Sequence, residues 1–284
     1  MSRCFTFSFT EAINWFHRST FTKLGLRSTI TDLEDGTVMH FWVPNSPSHT
    51  KPNLLLIHGL GASALWQWGD VIRHFTPYFN VYVPDLVFFG ESFTTRPERT
   101  ESFQAQCVMR VMEANSVHKL SLVGLSYGGF IGYSIAAQYK EAVERVVVCC
   151  SGICMEEKDL REGVFRVSDL EEAASILVPL KPDKLRELVG YTFLRPPPVG
   201  LIPDCFFIDF IDPTLIVWGE NDRIFPLELG HRLKRHLGDN AHLAVIKNAG
   251  HAFNVEKPKD YIKLLKSFLI DLQLPLETAQ LQIF

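Results

Sequence analysis

The chain has 284 residues, a length that suits one large α/β domain or two smaller ones. Hydrophobic residues make up 46% and charged residues 21%, which excludes a disordered or fibrous chain. The 28 lysines and arginines against 32 aspartates and glutamates leave a formal charge of -4, which provides no overall positive field for a nucleic acid. We therefore expect no nucleic-acid partner. Charged residues or prolines interrupt every apolar run before it reaches the roughly 20 residues of a membrane-spanning helix, so we also expect no membrane span.

The N-terminal segment, residues 1–26, combines basic residues with apolar residues at helical spacing. The apolar positions are Phe5, Phe9, Ile13 and Phe16. Three interpretations stay open: a transit-like peptide that directs the chain to an organelle, a helix that associates with a membrane surface, and an amphipathic helix folded onto the domain. The segment has no continuous apolar region, which argues against a secretory signal.

Six cysteines are present without any C-x-x-C pair: Cys4, Cys107, Cys149, Cys150, Cys154 and Cys205. No histidine lies beside them at the spacing of a metal ligand, so the pattern favours neither a zinc site nor a catalytic cysteine. We expect reduced, mostly buried thiols in a cytoplasmic protein, with an organelle as the alternative location.

Alternating apolar and polar residues after Arg27 predict an antiparallel hairpin, with strands over 28–33 and 37–43 joined at Asp35-Gly36. Four short apolar runs follow, separated by segments of helical periodicity. They lie at 54–57, 81–83, 120–123 and 146–148. Such runs are typical of parallel strands that are covered on both faces.

The helical segments between these runs carry apolar or small residues along one side. The first apolar stripe consists of Phe103, Cys107, Val108, Val111 and Met112, and the next helix has Gly128, Gly129, Gly132 and Ala136. The alternation resumes with a strand over 214–218, a helix over 227–237, a strand over 243–246 and a final helix with Tyr261, Ile262, Leu265, Phe268 and Leu269 inward. This order predicts an α/β fold with a mostly parallel central sheet and helices on both faces.

Between 153 and 212, acidic amphipathic segments replace the alternation of strands and helices. They cover 156–165, 168–180 and 182–193, and three prolines follow at 196–198. We interpret this insertion as a short helical cap whose acidic residues lie on solvated helix faces. The predicted domain organisation is an N-terminal amphipathic segment at 1–26, a first core part at 27–152, the cap at 153–212 and a second core part at 213–284.

A G-x-S-x-G motif, Gly124-Leu125-Ser126-Tyr127-Gly128, follows the apolar run at 120–123 directly and opens a helix. A serine on such a strand-to-helix turn projects its hydroxyl from the sheet edge, and glycines are needed beside it because side chains would collide there. The helix N-terminus adds partial positive charge where an oxyanion forms. Ser126 is therefore the predicted nucleophile.

A serine nucleophile needs a base within hydrogen-bond reach and a carboxylate that orients this base. Asp222 follows the strand over 214–218 and His251 follows the strand over 243–246, so both lie where ligands bind in open parallel sheets. Glu220 stays an alternative acid, and Asp222 is also suited to cap the helix after Pro226. Among ten histidines, only His251 follows a glycine in a long loop after the last strand.

A glycine-rich turn, His58-Gly59-Leu60-Gly61, follows the strand at 54–57. Backbone N–H groups on such a turn can point at a developing oxyanion, so the predicted oxyanion hole comprises the N–H of Leu60 and the N–H of Tyr127. His58 is expected to be a structural hydrogen-bonding residue. We expect no cofactor and no metal ion.

Together these motifs resemble those of the α/β-hydrolase superfamily. They are His58-Gly59-Leu60-Gly61, Asp85-Leu86 with Phe89-Gly90-Glu91-Ser92, the G-x-S-x-G motif, Trp218-Gly219-Glu220-Asn221-Asp222 and Gly250-His251. The resemblance spans roughly 37–269 and is strongest to the capped serine hydrolases, which include monoacylglycerol-lipase-like esterases and hydrolases of carbon-carbon bonds. Epoxide hydrolases and haloalkane dehalogenases share the cap but carry an aspartate where this chain has Ser126.

One feature departs from this family pattern. Similar proteins have a longer run of cap helices, whereas here an apolar stretch that includes Phe206, Phe207, Phe210 and Ile211 leads directly into Asp212-Pro213 and the next strand. A shortened cap exposes apolar surface and closes the pocket less completely.

The resemblance implies a serine hydrolase that cleaves carboxylic esters of apolar acyl or aromatic substrates through an acyl-enzyme intermediate. Its partner is a small ester or lipid-like substrate. Two alternatives stay open: a carbon-carbon bond hydrolase with the same triad, and a weakly catalytic, receptor-like protein that binds a ligand.

Overall fold

The computed structural model describes residues 9–154, 156, 170–192, 195, 198–202, 204, 214–237 and 241–269. The chain forms two compact units, one of residues 11–166 and one of residues 1–10 with 167–284. The three predicted boundaries, after residues 26, 152 and 212, stay predictions.

The unit of residues 11–166 is built on a seven-stranded sheet. Its strands are β1 (Leu26–Asp32), β2 (Thr37–Pro44), β3 (Asn53–Ile57), β4 (Asn80–Pro84), β5 (Phe93–Thr94), β6 (Leu120–Leu125) and β7 (Val143–Cys149). The spatial order is β1-β2-β4-β3-β6-β7, with β5 paired to β2. The antiparallel hairpin β1–β2 and the parallel pairing of β3, β4, β6 and β7 confirm the predicted mostly parallel sheet.

The helices of this unit are α1 (Phe9–Lys23), α2 (Ala64–Trp68), α3 (Glu101–Ala114) and α4 (Tyr127–Gln138), with a short 3-10 helix at Ile72–His74. The predicted apolar stripe of α3, from Phe103 to Met112, is buried. In α4 a side chain at Gly132 would lie 2.8 Å from Leu122 Cδ1, so the small residue allows the helix to approach the sheet. Thr100 caps α3 by accepting a hydrogen bond from the Phe103 N–H.

Helix α1 packs on this same unit. Phe21 is fully buried against Trp42, with 5.1 Å between the ring centroids, and Asn14 Oδ1 accepts a hydrogen bond from Trp66 Nε1 at 2.7 Å. Arg18 forms an ion pair with Glu91. For residues 9–23, the structure therefore agrees with the amphipathic helix folded onto the domain.

One expectation for the sheet is wrong. Val146, Val147 and Val148 of β7 were expected to be covered on both faces, but they are 40–48% exposed. Among the described strands, β7 pairs with β6 alone and forms an edge of this sheet, which leaves these valines less covered than a central strand.

The other unit contains a two-stranded parallel sheet of β8 (Thr214–Gly219) and β9 (Ala241–Ile246). Its helices are α5 (Leu170–Leu177), α6 (Pro182–Thr192), α7 (Leu227–Leu237), α8 (Phe253–Glu256) and α9 (Pro258–Leu269), with a 3-10 helix at Val199–Leu201. These elements confirm the predicted strands at 214–218 and 243–246. Ile262 was expected to face inward on α9, but it is 49% exposed, and the side chains of Phe268 and Leu269 lie outside the described residues.

The predicted cap is described in part. Helices α5 and α6 fall within the predicted segments at 168–180 and 182–193. The segment at 156–165, except residue 156, and the apolar stretch from Phe206 to Ile211 lie outside the described residues. No helix in the described part of the chain is long and apolar enough to cross a membrane.

The cysteines are less buried than expected. Cys107 is buried, and burial raises the pKa of its thiol to about 11. Cys149 is half-buried, whereas Cys150 and Cys154 are exposed because they lie at and beyond the end of the edge strand β7. Cys4 and Cys205 lie outside the described residues.

Candidate active site

Ser126 lies on a tight turn between strand β6 and helix α4. Its φ of 53° and ψ of -118° are unusual for a residue that is not glycine, and such strain is retained where the surrounding structure requires it. A Cβ at Gly124 would lie 2.2 Å from the Gly128 carbonyl oxygen, and a Cβ at Gly128 would lie 2.5 Å from the Ile57 carbonyl oxygen. Both flanking glycines are therefore required by close backbone approach, as the G-x-S-x-G motif predicts.

The oxyanion loop, which we define as His58–Ser63, lies beside Ser126 in the same unit. A Cβ built at Gly59 would be 3.2 Å from Ser126 Cβ, so the loop backbone runs directly past the serine. Leu60 is 41% exposed, and Tyr127 is the first residue of α4. The structure thus places the two predicted oxyanion donors on the two segments that flank Ser126.

His58 has the structural role that the sequence predicts. It is fully buried, and its Nε2 accepts a hydrogen bond from the Leu86 N–H at 2.9 Å. The ring proton must then be on Nδ1, which donates to the Gly59 carbonyl oxygen at 2.8 Å. Burial lowers the pKa of His58, which favours this neutral tautomer.

Asp222 and His251 form a hydrogen-bonded pair in the other unit. Asp222 Oδ2 lies 2.9 Å from His251 Nδ1, and Asp222 Oδ1 accepts from the N–H groups of Ile224 and Phe225 at 2.8 and 2.9 Å. Burial raises the pKa of Asp222, but the hydrogen bonds from Phe225, His251 and Ile224 outweigh this effect and hold the pKa below its ordinary value. The carboxylate is therefore ionised at neutral pH and fixes the proton of His251 on Nδ1.

This tautomer leaves Nε2 of His251 as an acceptor. The ring is half exposed, and its centroid lies 5.6 Å from that of Phe225. The Gly250 N–H donates to Glu256 Oε2 at 2.8 Å, which holds the backbone directly before His251. Such an imidazole can take a proton from a nucleophile, as a general base does.

Glu220, the alternative acid, has a different partner. Its Oε2 accepts a hydrogen bond from the Asn248 N–H at 2.9 Å, and its own N–H donates to the Ile246 carbonyl oxygen. Glu220 therefore braces the turn after β9, whereas Asp222 contacts the histidine. The hydrogen bonds of Asp222 Oδ1 go to Ile224 and Phe225, which lie before α7, so they brace the turn that leads into this helix, and the helix cap stays a prediction.

An open pocket of about 470 Å³ lies beside His251. It is lined by Asn221, Arg223, Ile224, Asn248, Ala249, Gly250, His251 and Glu256. Among the described residues, no group of three or more His, Cys, Asp and Glu side chains could hold a metal ion.

The structure therefore presents the predicted site residues in two sets. Ser126, Leu60 and Tyr127 are brought together in the unit of residues 11–166, and Asp222 and His251 are brought together in the other unit. The sequence placed Asp85 in a family motif without a role and did not indicate His40, yet these two buried residues bind each other next to the oxyanion loop. The Asp-Leu pair directly after strand β4 could have indicated a role for Asp85. The sequence around His40 has no such motif.

A parallel sheet that carries a serine on a strand-to-helix turn, with an Asp-His pair after later strands, is the architecture of a hydrolase. A model of the α/β-hydrolase fold family matches residues 52–196, about half of the chain. The chain belongs to this family and is a hydrolase of the α/β-hydrolase superfamily.

Curated relatives include two kinds of hydrolase. The chain is 27% identical over 247 positions to 2-hydroxy-6-oxo-2,4-heptadienoate hydrolase of Pseudomonas putida, a match that covers 76% of this chain and 88% of the relative. It is 24% identical over 295 positions to monoacylglycerol lipase ABHD6 of Mus musculus, covering 90% and 85%. A crystal structure of a membrane phospholipase A, a bacterial virulence factor, has a TM-score of 0.54 at 24% identity and shares the fold, covering 93% of this chain and 91% of that one.

Each of the two sequence alignments has more positions than the number of residues that this chain contributes to it. The alignment with the mouse lipase has 295 positions, whereas 90% of 284 residues is about 256, so about 39 positions have no residue in this chain. The alignment with the bacterial hydrolase has 247 positions and about 216 residues of this chain, which leaves about 31. Both relatives thus contain residues within the matched region that this chain lacks.

Proposed function

We propose that the protein hydrolyses carboxylic esters of apolar acyl or aromatic substrates, with Ser126 as nucleophile, His251 as base and Asp222 as the acid that orients His251. The single observation that carries this proposal is the turn of Ser126, with its φ of 53° and the oxyanion loop packed beside it. A serine held in this strained conformation beside the backbone N–H groups of Leu60 and Tyr127 suits attack on a carbonyl carbon.

In the proposed first half-reaction, Ser126 Oγ attacks the ester carbonyl carbon and its proton moves to His251 Nε2. The oxyanion accepts hydrogen bonds from the N–H groups of Leu60 and Tyr127. The carbon-oxygen bond to the alcohol then breaks, and the alcohol leaves with the proton from His251. Asp222 stabilises the imidazolium throughout without taking its proton.

In the second half-reaction, a water molecule attacks the acyl group on Ser126 and gives its proton to His251. The tetrahedral intermediate collapses, the bond to Ser126 Oγ breaks, and Ser126 regains a proton from His251. The products are a carboxylic acid and the free enzyme. The hydrogen bond between Asp222 and His251 supports this cycle because it leaves Nε2 available for both proton transfers.

A panel of p-nitrophenyl esters of increasing acyl chain length tests this proposal, together with labelling by a fluorophosphonate and mapping of the modified peptide. We expect turnover of medium-chain esters and labelling at Ser126. Absence of both turnover and labelling in folded protein would contradict the proposal.

A carbon-carbon bond hydrolase is the second candidate. The relative from Pseudomonas putida supports it, since its name gives an oxo-dienoate substrate and the match covers 88% of that protein. The same triad would act on a ketone carbonyl, and the bond that breaks would join two carbons. An assay with ring-fission ketones as substrates distinguishes this candidate from the esterase. Cleavage is measured as loss of the dienol absorbance.

A weakly catalytic, receptor-like protein is the third candidate, and it depends on the cap. The bacterial relative has about 31 positions that this chain lacks, and the mouse relative has about 39. Either number is enough for one or two helices. If they belong to the cap, the protein would bind its ligand but exclude water poorly. Binding of a fluorophosphonate without turnover of any ester or ketone would favour this candidate.

A further inference from the structure

The oxyanion loop is attached at both ends to two consecutive residues, Asp85 and Leu86. At its start, His58 Nε2 accepts the Leu86 N–H at 2.9 Å. Just past its end, the Ala64 N–H donates to Asp85 Oδ1 at 2.7 Å. All four residues are buried, so these hydrogen bonds are shielded from water. The position of the Leu60 N–H between these two anchors therefore depends on where Asp85 and Leu86 lie.

The Asp85 carboxylate is itself held by a second buried side chain. Its Oδ2 lies 2.8 Å from His40 Nδ1, which is the hydrogen-bond partner of this oxygen. His40 Nε2 in turn lies 2.8 Å from the Ser28 hydroxyl, which is on the exposed strand β1. Each carboxylate oxygen thus receives one N–H donor, one from the loop and one from His40.

The backbone of Asp85 is fixed by the same neighbours. Its N–H donates to the His40 carbonyl oxygen at 3.0 Å, and its carbonyl oxygen accepts the Ser92 hydroxyl at 2.7 Å. Ser92 Oγ also accepts the His40 N–H at 2.8 Å. A Cβ at Gly90 would lie 2.1 Å from Asp85 Oδ2, so the backbone there closes the space into which the carboxylate could retreat.

We propose that Asp85, held by His40, is a positioning residue that sets the oxyanion loop, and with it the Leu60 N–H, for catalysis. This inference rests on the proposed function, since it assigns Leu60 to the oxyanion hole. The carboxylate acts through the Ala64 N–H and does not touch the substrate. Small displacements matter here, because an error of about 1 Å in a reacting geometry can cost on the order of 100-fold in rate.

The sequence of contacts from Ser28 through His40 to Asp85 has the same chemical order as a hydrolase triad. Ser28, however, lies inside the regular strand β1, whereas Ser126 lies on a strand-to-helix turn at the start of α4. Asp85 Oδ1 is also committed to the loop through Ala64. The geometry therefore favours a positioning role over a second nucleophile.

The test uses Asp85→Asn in the full chain. An asparagine offers one acceptor oxygen where two donors, the Ala64 N–H and His40 Nδ1–H, now converge on two oxygens. We expect kcat on a p-nitrophenyl ester to fall about 10- to 100-fold with KM changed less than about threefold, since loss of a whole oxyanion donor costs about 100- to 1,000-fold. His40→Phe, which removes the donor, should behave likewise, and His40→Asn, which keeps a donor near Nδ1, should restore most of kcat.

Thr37→Val is the matched control, because it removes a part-buried side-chain hydrogen bond on the same strand, to Thr94 Oγ1 at 2.8 Å. It should lower the melting temperature and leave kcat unchanged. Wild-type kcat in Asp85→Asn, or an equal fall of kcat in Thr37→Val, would overturn the positioning role while the ester activity itself stands.

Amide hydrogen exchange separates this inference from the proposed function. In Asp85→Asn, exchange at Ala64 should become about tenfold faster or more, because a charge-assisted hydrogen bond is roughly twice as strong as a neutral one. If the wild-type protein turns over no ester, the proposed function fails. The exchange rates of the loop amides then still test whether Asp85 positions the oxyanion loop. Faster exchange confined to residues 58–64 then supports it, and unchanged exchange overturns it.

Discussion

His251 Nδ1 lies 2.9 Å from Asp222 Oδ2, and the other oxygen of this carboxylate accepts two backbone N–H groups from Ile224 and Phe225. The backbone thus aims the carboxylate, and the carboxylate aims the imidazole. Two residues that are 29 positions apart in sequence are brought together by strands β8 and β9, which pair in parallel and end at the same edge.

Asp222→Asn should lower kcat by about 10⁴, because an amide can stabilise the wrong tautomer of His251. The matched variant is Glu220→Gln, two residues away on the same turn, which should be nearly silent since Glu220 contacts Asn248 instead. Steady-state kinetics on one p-nitrophenyl ester measures both. The opposite ranking of the two variants would move the acid to Glu220.

Ser126→Ala should abolish both ester turnover and fluorophosphonate labelling while the fold persists, because only a hydroxyl on the turn is removed. Ser134→Ala on the same helix is the control, since it loses only a hydrogen bond from Gln138. Peptide mapping should return Ser126, and it should not return Ser28. Labelling that survives in purified Ser126→Ala would remove the assignment of the nucleophile.

Gly128→Ala should destabilise the protein and remove its activity. The added Cβ would lie 2.5 Å from the Ile57 carbonyl oxygen and 2.6 Å from that of His58, and backbone atoms there cannot move without shifting the oxyanion loop. We expect a loss of about 2–3 kcal/mol in the free energy of unfolding. Gly190→Ala, in α6 with no atom within 4 Å of the new Cβ, should instead gain about 0.5–1 kcal/mol.

Chemical denaturation of both variants measures these changes. An unchanged stability in Gly128→Ala would mean that the close approach of α4 to the end of β3 is wrong.

The free energy of unfolding should depend on pH in the acidic range because of Asp35. Burial raises the pKa of this carboxyl, but hydrogen bonds from Thr37, Arg110 and Arg96 outweigh burial and lower the pKa from 3.8 to about 2. A lowered folded-state pKa contributes stability that is complete above pH 4 and is lost as pH falls through about 2. The screened contribution is about 1 kcal/mol, since both arginines are partly exposed.

Urea unfolding of wild type and Asp35→Asn between pH 5 and pH 2 tests this dependence. The difference in unfolding free energy between the two proteins should shrink toward zero as the pH falls. Asp32→Asn is the control, because Asp32 is exposed and its carboxylate accepts the Glu34 N–H, with no ion pair to an arginine among the described residues. A difference that stays constant over this range would contradict the lowered pKa.

Most of the fold could be predicted from local sequence patterns, because each pattern reflects a physical requirement of the residues within it. The Asp-Gly turn fixes the β1–β2 hairpin, and the glycines around Ser126 follow from close backbone approach that the motif itself encodes. The exposure of Val147 could not be predicted, since a run of valines looks the same in an edge strand as in a central one. The contact between His40 and Asp85 joins residues 45 positions apart, and only the pairing of β2 with β4 brings them together.

The cap decides between an active hydrolase and a weakly catalytic protein that mainly binds its ligand. If the junction at Asp212-Pro213 lacks a helical segment, then Phe206, Phe207 and Phe210 have lost packing partners, and burial of one such side chain is worth about 1.5–3 kcal/mol. Insertion of a helical segment of about 25–35 residues at this junction should then raise the melting temperature and increase kcat/KM on medium-chain esters, since a closed cap excludes water and positions the acyl chain.

Melting curves, ester chain-length profiles and hydrogen exchange over 153–212 compare the two chains. In the shorter chain, the cap amides should exchange rapidly, and in the longer chain they should be protected. A protected cap and ordinary esterase rates in the shorter chain would show instead that the short cap is sufficient. If neither chain turns over any ester although both react with a fluorophosphonate, the carbon-carbon bond hydrolase and the receptor-like protein become the better candidates, because Ser126 is then reactive and only the substrate is wrong.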